Sequence, residues 1–281
     1  MTTGIDLNTN VLSLALQNNL AKTTRALMSS MEKLSTGNKI NHAADGAAQL
    51  AISTKLASQI SGTAVAQDNV QQGMLALNQA DSGLQSINEN LTKIRDLAVQ
   101  ASQGTYSQDQ RDAMKLEAQG YLDQINTIAT GTSFNGLNLL DGSLTSLKLQ
   151  VGANTGDTMD ISNAFVNSQS STMGLTSAAL NTAFSSASNA NAFIATVDSA
   201  ITQTSSHLST VGAVSNSLNS VLDNLAIKEV NLESSKSLIM DVDYASEISK
   251  YVQLQILQQT NASLLAQANL QPSIALNLLN G

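Results

Sequence analysis

A mainly α-helical fold is predicted by three observations: apolar residues recur at helical spacing over very long stretches, aromatic bulk is scarce, and period-two alternation is confined to one short region. The expected architecture is a long antiparallel helical bundle or coiled coil with a small β-hairpin region. A two-helix domain formed by the paired N- and C-terminal segments is expected beside it. The 281 residues include no Trp, four Phe, four Tyr and a single Pro, Pro272. Helix seams can be packed with Leu, Ile, Val and Ala, whereas a conventional globular core leans on aromatic bulk.

The first predicted helix runs from Ile5 to about Leu34, with Leu20, Leu27 and Leu34 at heptad spacing and Met31 beside them. It ends at Ser35-Thr36-Gly37-Asn38, where Gly37 suits a left-handed cap. A second helix starts between Asn41 and Asp45 and reaches about Ala101. Val70, Leu77, Leu84, Leu91 and Ala98 hold one heptad position, and Ala66, Ala80, Ile87, Ile94 and Ala101 the other. At ~1.5 Å per residue it exceeds roughly 80 Å, more than one compact domain needs. Gln103-Gly104 breaks the pattern, and a third helix from about Gln108 to Ile128 displays Met114, Tyr121, Leu122 and Ile125.

The period then changes. Phe134-Asn135-Gly136 signals a turn; Leu147, Leu149 and Val151 alternate before a loop at 152–157, and Met159 and Ile161 alternate after it, predicting a β-hairpin. Residues 162–190 are uncharged and rich in Ser, Asn and Ala, which reads as a short variable surface segment. The last long helix, about Asn191 to Val242, carries Val197, Val211, Val214, Leu218, Val221, Leu225, Leu232 and Ile239, and is expected to pair antiparallel with the second. A terminal helix follows, its stripe of Leu254, Leu257, Leu264 and Ala268 interrupted by Asn261, a residue that fixes register when buried in coiled coils. The expected domains are 1–42 with 244–281, a terminal coiled-coil core, and 43–243, a helical bundle with the hairpin.

The net charge of −8 and pI near 4.6 oppose binding to nucleic acid, which depends on Lys and Arg displacing counterions. No cysteine is present, so disulfides and thiolate metal sites are excluded. No stretch approaches the roughly 18 apolar residues of a membrane span. The first twenty residues show no basic residue ahead of an apolar run, so no cleaved secretory signal is expected.

Catalytic and cofactor chemistry finds little to work with. His42 and His207 are the only histidines, and neither HExxH, GxxxxGK[ST], GxGxxG nor a G-x-S-x-G elbow occurs. The carboxylate pairs Asp157/Asp160 and Asp241/Asp243 flank a hairpin loop and a helix junction, where capping is the simpler role. His207 on a helix seam and His42 beside a cap read as packing or hydrogen-bonding residues. No enzyme activity, metal or cofactor is expected.

Charge separates the ends from the middle. After Lys250 no Asp, Glu, Lys, Arg or His follows, and before Lys22 only Asp6 does, yet both segments keep aliphatic stripes separated by Gln and Asn. A solvated helix usually shows Lys and Glu on its free face, so these ends are expected to be covered by partner subunits. The candidate subunit-interface residues are Leu16, Leu20, Leu27 and Leu34 with Leu254, Leu257, Leu264 and Leu265.

Five motifs carry a family resemblance. Met31-Glu32-Lys33-Leu34-Ser35-Thr36-Gly37-Asn38-Lys39-Ile40-Asn41 resembles the N-terminal signature of bacterial flagellins, and Asn90 to Gln100, with Ile94-Arg95-Asp96-Leu97-Ala98-Val99-Gln100, resembles their Arg-Glu-Leu-Ala-Val-Gln helix. Ser133-Phe134-Asn135-Gly136 and Leu149-Gln150-Val151-Gly152-Ala153-Asn154 resemble their turn and hairpin. Asp243 to Glu247, Ile256 to Gln259 and Leu265 to Asn269 resemble their C-terminal signature.

The resemblance implies a subunit that self-assembles into the flagellar filament, with an inner domain made from both termini and a second domain touching neighbours along the protofilament. It implies export through the flagellar type III apparatus, an export chaperone on the C-terminal segment, and junction and cap proteins as further partners. It also implies a possible innate immune receptor contact at Lys93, Arg95, Leu97 and Glu117, weakened because Lys93 stands where Arg is common and lacks its planar fork. The Gln and Asn of 251–279 are expected to border a channel for unfolded subunits. The alternatives are a hook–filament junction protein and, in a different class, a secreted monomeric ligand of a host receptor.

Overall fold

The computed structural model of the chain describes residues 10–279, with side chains through Leu270. In chain order the helices are α1 (Val11–Thr36), α2 (Ala43–Ala101), α3 (Gln108–Gly131), α4 (Ser177–Ala183), α5 (Ala187–Met240) and α6 (Tyr244–Leu279). Between α3 and α4 lie the strands β1 (Ser133–Phe134), β2 (Leu137–Asn138), β3 (Lys148–Gln150) and β4 (Thr158–Asp160), then a 3₁₀ turn at Ser162–Ala164. The part of the first helix expected at 5–9 lies outside the described residues.

Two compact units result, one made of the residues up to Ser58 with those from Leu232 on, the other of Gln59–Asn231. The boundaries expected at 42/43 and 243/244 follow helix ends. These units divide inside α2, which is kinked at Gly46, and inside α5.

In the 59–231 unit the α2 seam is continuous. Ala66, Val70, Leu77, Ala80, Leu84, Ile87, Leu91, Ile94, Ala98 and Ala101 are buried at alternating steps of four and three, with Gly73 in the one gap. That spacing keeps one narrow stripe against a partner helix. The partner is α5, which buries Phe193, Val197, Ala200, Val211, Val214, Leu218 and Leu225 into the same core. Gln67 donates to Glu229 at 2.8 Å and Arg95 to Asp198 at 2.6 Å, so residues rising along α2 meet residues falling along α5: the pair is antiparallel. At about 1.5–3 kcal/mol per fully buried aliphatic side chain, this seam outweighs every cap and ion pair in the unit. Arg95 and Asp198 are both well exposed, which leaves their bond little net weight.

α3 starts at a capping box, Ser107 accepting from the Gln110 backbone while the Gln110 side chain accepts from the Ser107 N–H, and it buries Ala118, Leu122, Ile125 and Ala129 in the same core. β1 and β2 form a two-residue hairpin whose turn, Asn135 at φ 49° and Gly136 at φ 78°, takes the left-handed backbone that a type I′ turn requires. β3 and β4 pair antiparallel with Leu149 opposite Met159, as the alternation predicts. Leu147, Leu149, Val151 and Met159 pack against the α2–α5 core.

The expectation of a surface segment at 162–190 is corrected. Phe165, Met173, Leu175, Leu180, Ala183 and Phe184 are buried in the main core, and Phe184 meets Phe193 edge to face with ring centroids 6.4 Å apart. Ser168 and Ser170 are buried too, their backbone N–H groups bonded to Leu140 O and Asn126 Oδ1. Composition hid this because the many Ser, Asn and Ala lower the average while a few widely spaced large side chains anchor the segment.

Glycine inside α2 is used for close approach. A Cβ on Gly83 would stand 2.7 Å from Thr132 Oγ1 and 2.8 Å from Leu140 Cδ1, both on buried residues. Gly120 on α3 has nothing within 4 Å of its Cβ position. Gly83→Ala is therefore expected to destabilise the unit by about 1–3 kcal/mol, overpacking overriding the better helix propensity. Gly120→Ala is expected to stabilise it by about 0.5–1 kcal/mol. Urea unfolding of the depolymerised chain followed by circular dichroism measures both; equal shifts of one sign would refute the close-packing account.

Candidate assembly interface

The other unit is organised by α1 lying antiparallel on α6. Asn10 caps α1 by accepting from Ser13 N at 2.9 Å, and its amide also donates to Ala268 O at 2.8 Å. One side chain thus starts the helix and ties it to α6. The inward residues of α1 are Ser13, Leu16, Leu20, Thr23, Leu27, Ser30 and Leu34; those of α6 are Glu247, Tyr251, Leu254, Gln258, Asn261, Leu265 and Ala268. Both sets step by threes and fours, the spacing of a coiled-coil seam.

This corrects the expected α6 stripe. Leu257 and Leu264 are each 43% exposed and stand outside the seam, where Gln258, Asn261 and Leu265 take their place. Of the candidate interface residues, Leu16, Leu20, Leu27, Leu34, Leu254 and Leu265 are turned toward the α1–α6 seam of the same chain. Three of the α6 amides expected to border a channel are bonded within the pair: Gln258 donates to Thr24 Oγ1 at 3.1 Å, Asn261 to Thr23 Oγ1 at 3.2 Å, and Asn269 accepts from Ser13 Oγ at 2.7 Å. Gln253, Gln255, Gln259 and Gln267 remain exposed.

Aliphatic side chains consequently encircle α6 while α1 covers one side. Ile248, Val252, Ile256 and Leu270 are exposed on the side away from the seam, and Leu257 and Leu264 flank it. On α1, Val11, Leu12, Leu14, Met28 and Met31 are exposed. Gln, Ser and Thr stand among these exposed aliphatics, but no charged residue lies on α6 beyond Lys250 to solvate the face.

The two connections of this unit are clasped together. Lys39 N–H donates to Met240 O at 2.6 Å and Val242 N–H to Gly37 O at 2.9 Å, an antiparallel bridge centred on Asn38 and Asp241. Gly37 sits at φ 73°, and a Cβ there would lie 2.9 Å from the Tyr244 hydroxyl. Ile40 is buried beside this bridge. Asp243 caps α6 through Ala245 N and Ser246 N, and Asp241 accepts from Ser237 Oγ at 2.6 Å. Asp157 likewise accepts from Asn154 in the hairpin loop, and Asp160 from Ser162, so both carboxylate pairs act in local capping. His42 Nε2 is 2.8 Å from Glu32 Oε1, and half-buried His207 has its pKa lowered by desolvation.

Among the described residues, no group of three or more His, Asp or Glu could hold a metal, and no helix is long and apolar enough to cross a membrane. The receptor candidates are split: Lys93 and Glu117 are exposed, Arg95 is engaged with Asp198, and Leu97 is 8% exposed within the core. Leu97 is therefore corrected from a surface contact to a packing residue. Its place beside the α2 seam explains its apolarity.

Long paired helices with exposed aliphatic residues and, among the described residues, no metal-binding cluster are the build of a structural subunit. Comparison with known proteins is specific. Family models described as the bacterial flagellin N-terminal helical region and C-terminal helical region match residues 7–145 and 194–279. A flagellin of Xenorhabdus nematophila is 38% identical over 97% of this chain and 98% of its own. A "flagellar filament 30.7 kDa core protein" of Treponema maltophilum is 33% identical over 98% of this chain and 99% of its own. A solved Vibrio parahaemolyticus protein described as flagellar hook-associated shares the fold, with TM-score 0.56 at 15% identity over 66% of this chain and 94% of that one. The chain belongs to the bacterial flagellin family and is a structural subunit of the flagellar filament.

The clasp generates a pH expectation. Asp45 accepts from His42 N at 3.0 Å and Asn41 N at 3.1 Å, and these bonds hold its pKa below the ordinary value. A carboxylate depressed in the folded state adds stability above its unfolded pKa and loses it as pH falls through the folded value. The 37–45 connection is therefore expected to loosen as pH drops below about 4. Asp45→Ala is expected to mimic that state at neutral pH, read as faster proteolytic cleavage between residues 35 and 45 of depolymerised protein. Unchanged cleavage would show that Asp45 does not hold the 37–45 connection.

Proposed function

We propose that the outer faces of α1 and α6 form the principal contact between copies in the filament, with Ile248, Val252, Ile256, Leu257, Leu264 and Leu270 as its apolar centre on α6. The observation that carries this is the set of large aliphatic side chains left exposed on an otherwise uncharged helix whose own chain covers one side. Leu16, Leu20, Leu27, Leu34, Leu254 and Leu265 then act indirectly, holding α1 to α6 so that a composite face exists. The exposed Gln253, Gln255, Gln259 and Gln267 are left to border solvent or a channel. On this reading the filament is extracellular, the chain leaves the cell through the flagellar type III apparatus, an export chaperone shields the uncharged C-terminal segment, and junction and cap proteins meet the filament ends.

Filament seeds test the surface. Ile256→Glu combined with Leu264→Glu places two carboxylates at exposed positions, so the chain is expected to fold. Burial of unpaired charge against a neighbour costs several kcal/mol, and elongation on seeds is expected to slow at least about 100-fold by light scattering and negative-stain microscopy. Elongation at the parent rate would exclude this face.

A receptor contact is supported by exposed Lys93 and Glu117 and does not include Leu97. Lys93→Ala with Glu117→Ala is expected to lower signalling by an innate receptor responsive to the parent protein without altering seeded elongation. Undiminished signalling discards this reading.

A further inference from the structure

We infer that the polar layer Thr23, Thr24, Gln258 and Asn261 locks the register of α6 along α1, and that the Asn261–Thr23 bond is the discriminating element. The contacts along the pair describe one steady antiparallel alignment. Tyr244 lies against Gly37, Gln258 donates to Thr24, Asn261 to Thr23, Ser13 Oγ to Asn269, and the Asn10 amide to Ala268 O. That alignment sets Leu27 opposite Leu254 and Leu16 opposite Leu265, with the polar layer between these two apolar ones.

Aliphatic spacing alone would not choose this alignment. A slip of one heptad preserves the three-and-four spacing of both seams. In one direction it sets Leu254 against Leu34, an apolar pair as good as Leu254 with Leu27. It also sets Gln258 against Ser30, whose hydroxyl is buried without a hydrogen-bond partner in the observed register. That alternative therefore offers a satisfied hydroxyl and an apolar layer. What opposes it in the seam is Asn261, which would face Leu27 with its amide unpaired, and Leu265, which would face Thr23 and Thr24; at the end of the pair the slip would also break the Lys39–Met240 and Val242–Gly37 backbone bonds. The opposite slip sets Gln258 against Leu16. Asn261 and Thr23 are half-buried, and an amide left unpaired there costs more than a hydrogen bond gains, so Asn261 discriminates between the alignments alongside the clasp.

Register matters because it determines which aliphatics of α1 lie beside which of α6 on the outer face. A slipped pair would offset Met28 and Met31 against Ile248 and Val252 by two helical turns. This consequence rests on the assembly reading above; the register itself does not.

The protein has no cysteine, so cross-links report register directly. Leu254→Cys is combined in the full chain with Leu27→Cys, which reads the observed register, or with Leu34→Cys, which reads the slipped one. Each pair is made with Asn261 retained and with Asn261→Leu. Trace amounts are mixed with cysteine-free parent protein, which suppresses links between chains, and oxidised both in solution and in seeded filaments. With Asn261 retained, the 27–254 link is expected to form and the 34–254 link to remain at background. With Asn261→Leu, the 34–254 link is expected to rise at least tenfold while the chain stays paired. A 34–254 yield unchanged by Asn261→Leu would overturn the lock, as would its formation in the parent background or failure of the 27–254 link there. Loss of both links in Asn261→Leu would also overturn it, by showing that Asn261 supplies stability and not alignment.

Discussion

The rest of the structure depends on one uninterrupted apolar stripe, the α2 positions from Ala66 to Ala101 buried against α5 and α3. Residues alternating three and four apart average 3.5 per turn against the 3.6 of a straight helix, so a stripe kept for this many turns holds its face only if the helices wind gently around each other. Everything else in that unit is placed by lying on the stripe. The β3–β4 hairpin rests where Gly73 leaves room for Leu149, Leu140 settles against Gly83, and Ala153 comes up to Gly62. A mid-helix glycine costs about 1 kcal/mol in propensity, and here each one brings a second layer to within van der Waals distance of the helix.

The same coiled-coil geometry is used differently in the α1–α6 pair. The α2 seam is filled with Leu, Ile, Val and Ala. The seam between α1 and α6 instead contains Ser13, Thr23, Ser30, Gln258 and Asn261. Its apolar burial is smaller, and the orphaned Ser30 hydroxyl adds desolvation cost. Meanwhile aliphatics comparable to those of the α2 seam stand outside on both helices. A chain that maximised the stability of the isolated pair would exchange the two sets. Their actual distribution puts polar side chains in the seam and leaves large aliphatics exposed on both helices.

These contrasts explain what could be read from the sequence and what could not. The α2 and α5 seams were legible residue by residue because nearly all their seam positions are apolar, as were the hairpin at Leu147–Ile161 and the cap at Gly37. The face of α6 was misread because Leu257 and Leu264 sit a heptad apart and look like a seam, whereas the true one runs through Gln258, Asn261 and Leu265. Burial of the 162–190 segment was invisible because its anchors Phe165, Leu175, Leu180 and Phe184 follow neither a period of two nor one of 3.6. Leu97 was taken for a surface residue by resemblance, although its spacing from Ile94 and Ala101 places it at the edge of the α2 seam. The clasp between Gly37–Lys39 and Met240–Val242 joins segments about two hundred residues apart through backbone groups, which leave no side-chain signature.

That clasp gives the distant signature motifs a common physical reason. Gly37 must adopt a left-handed backbone, must leave room for the Tyr244 hydroxyl, and must present its carbonyl to Val242 N–H. Lys39 must extend far enough for its N–H to reach Met240 O, and Asp243 must cap α6 immediately afterwards. The two connections are therefore a single object although they are encoded at opposite ends of the chain. Because α1 enters it and α6 leaves it, the clasp sets the starting point from which their seams are counted, and Asn261, some 17 residues along α6, is where a miscount would first meet a large penalty. Backbone geometry at one end and a polar layer in the middle thus constrain the same degree of freedom, the sliding of one uncharged helix along another.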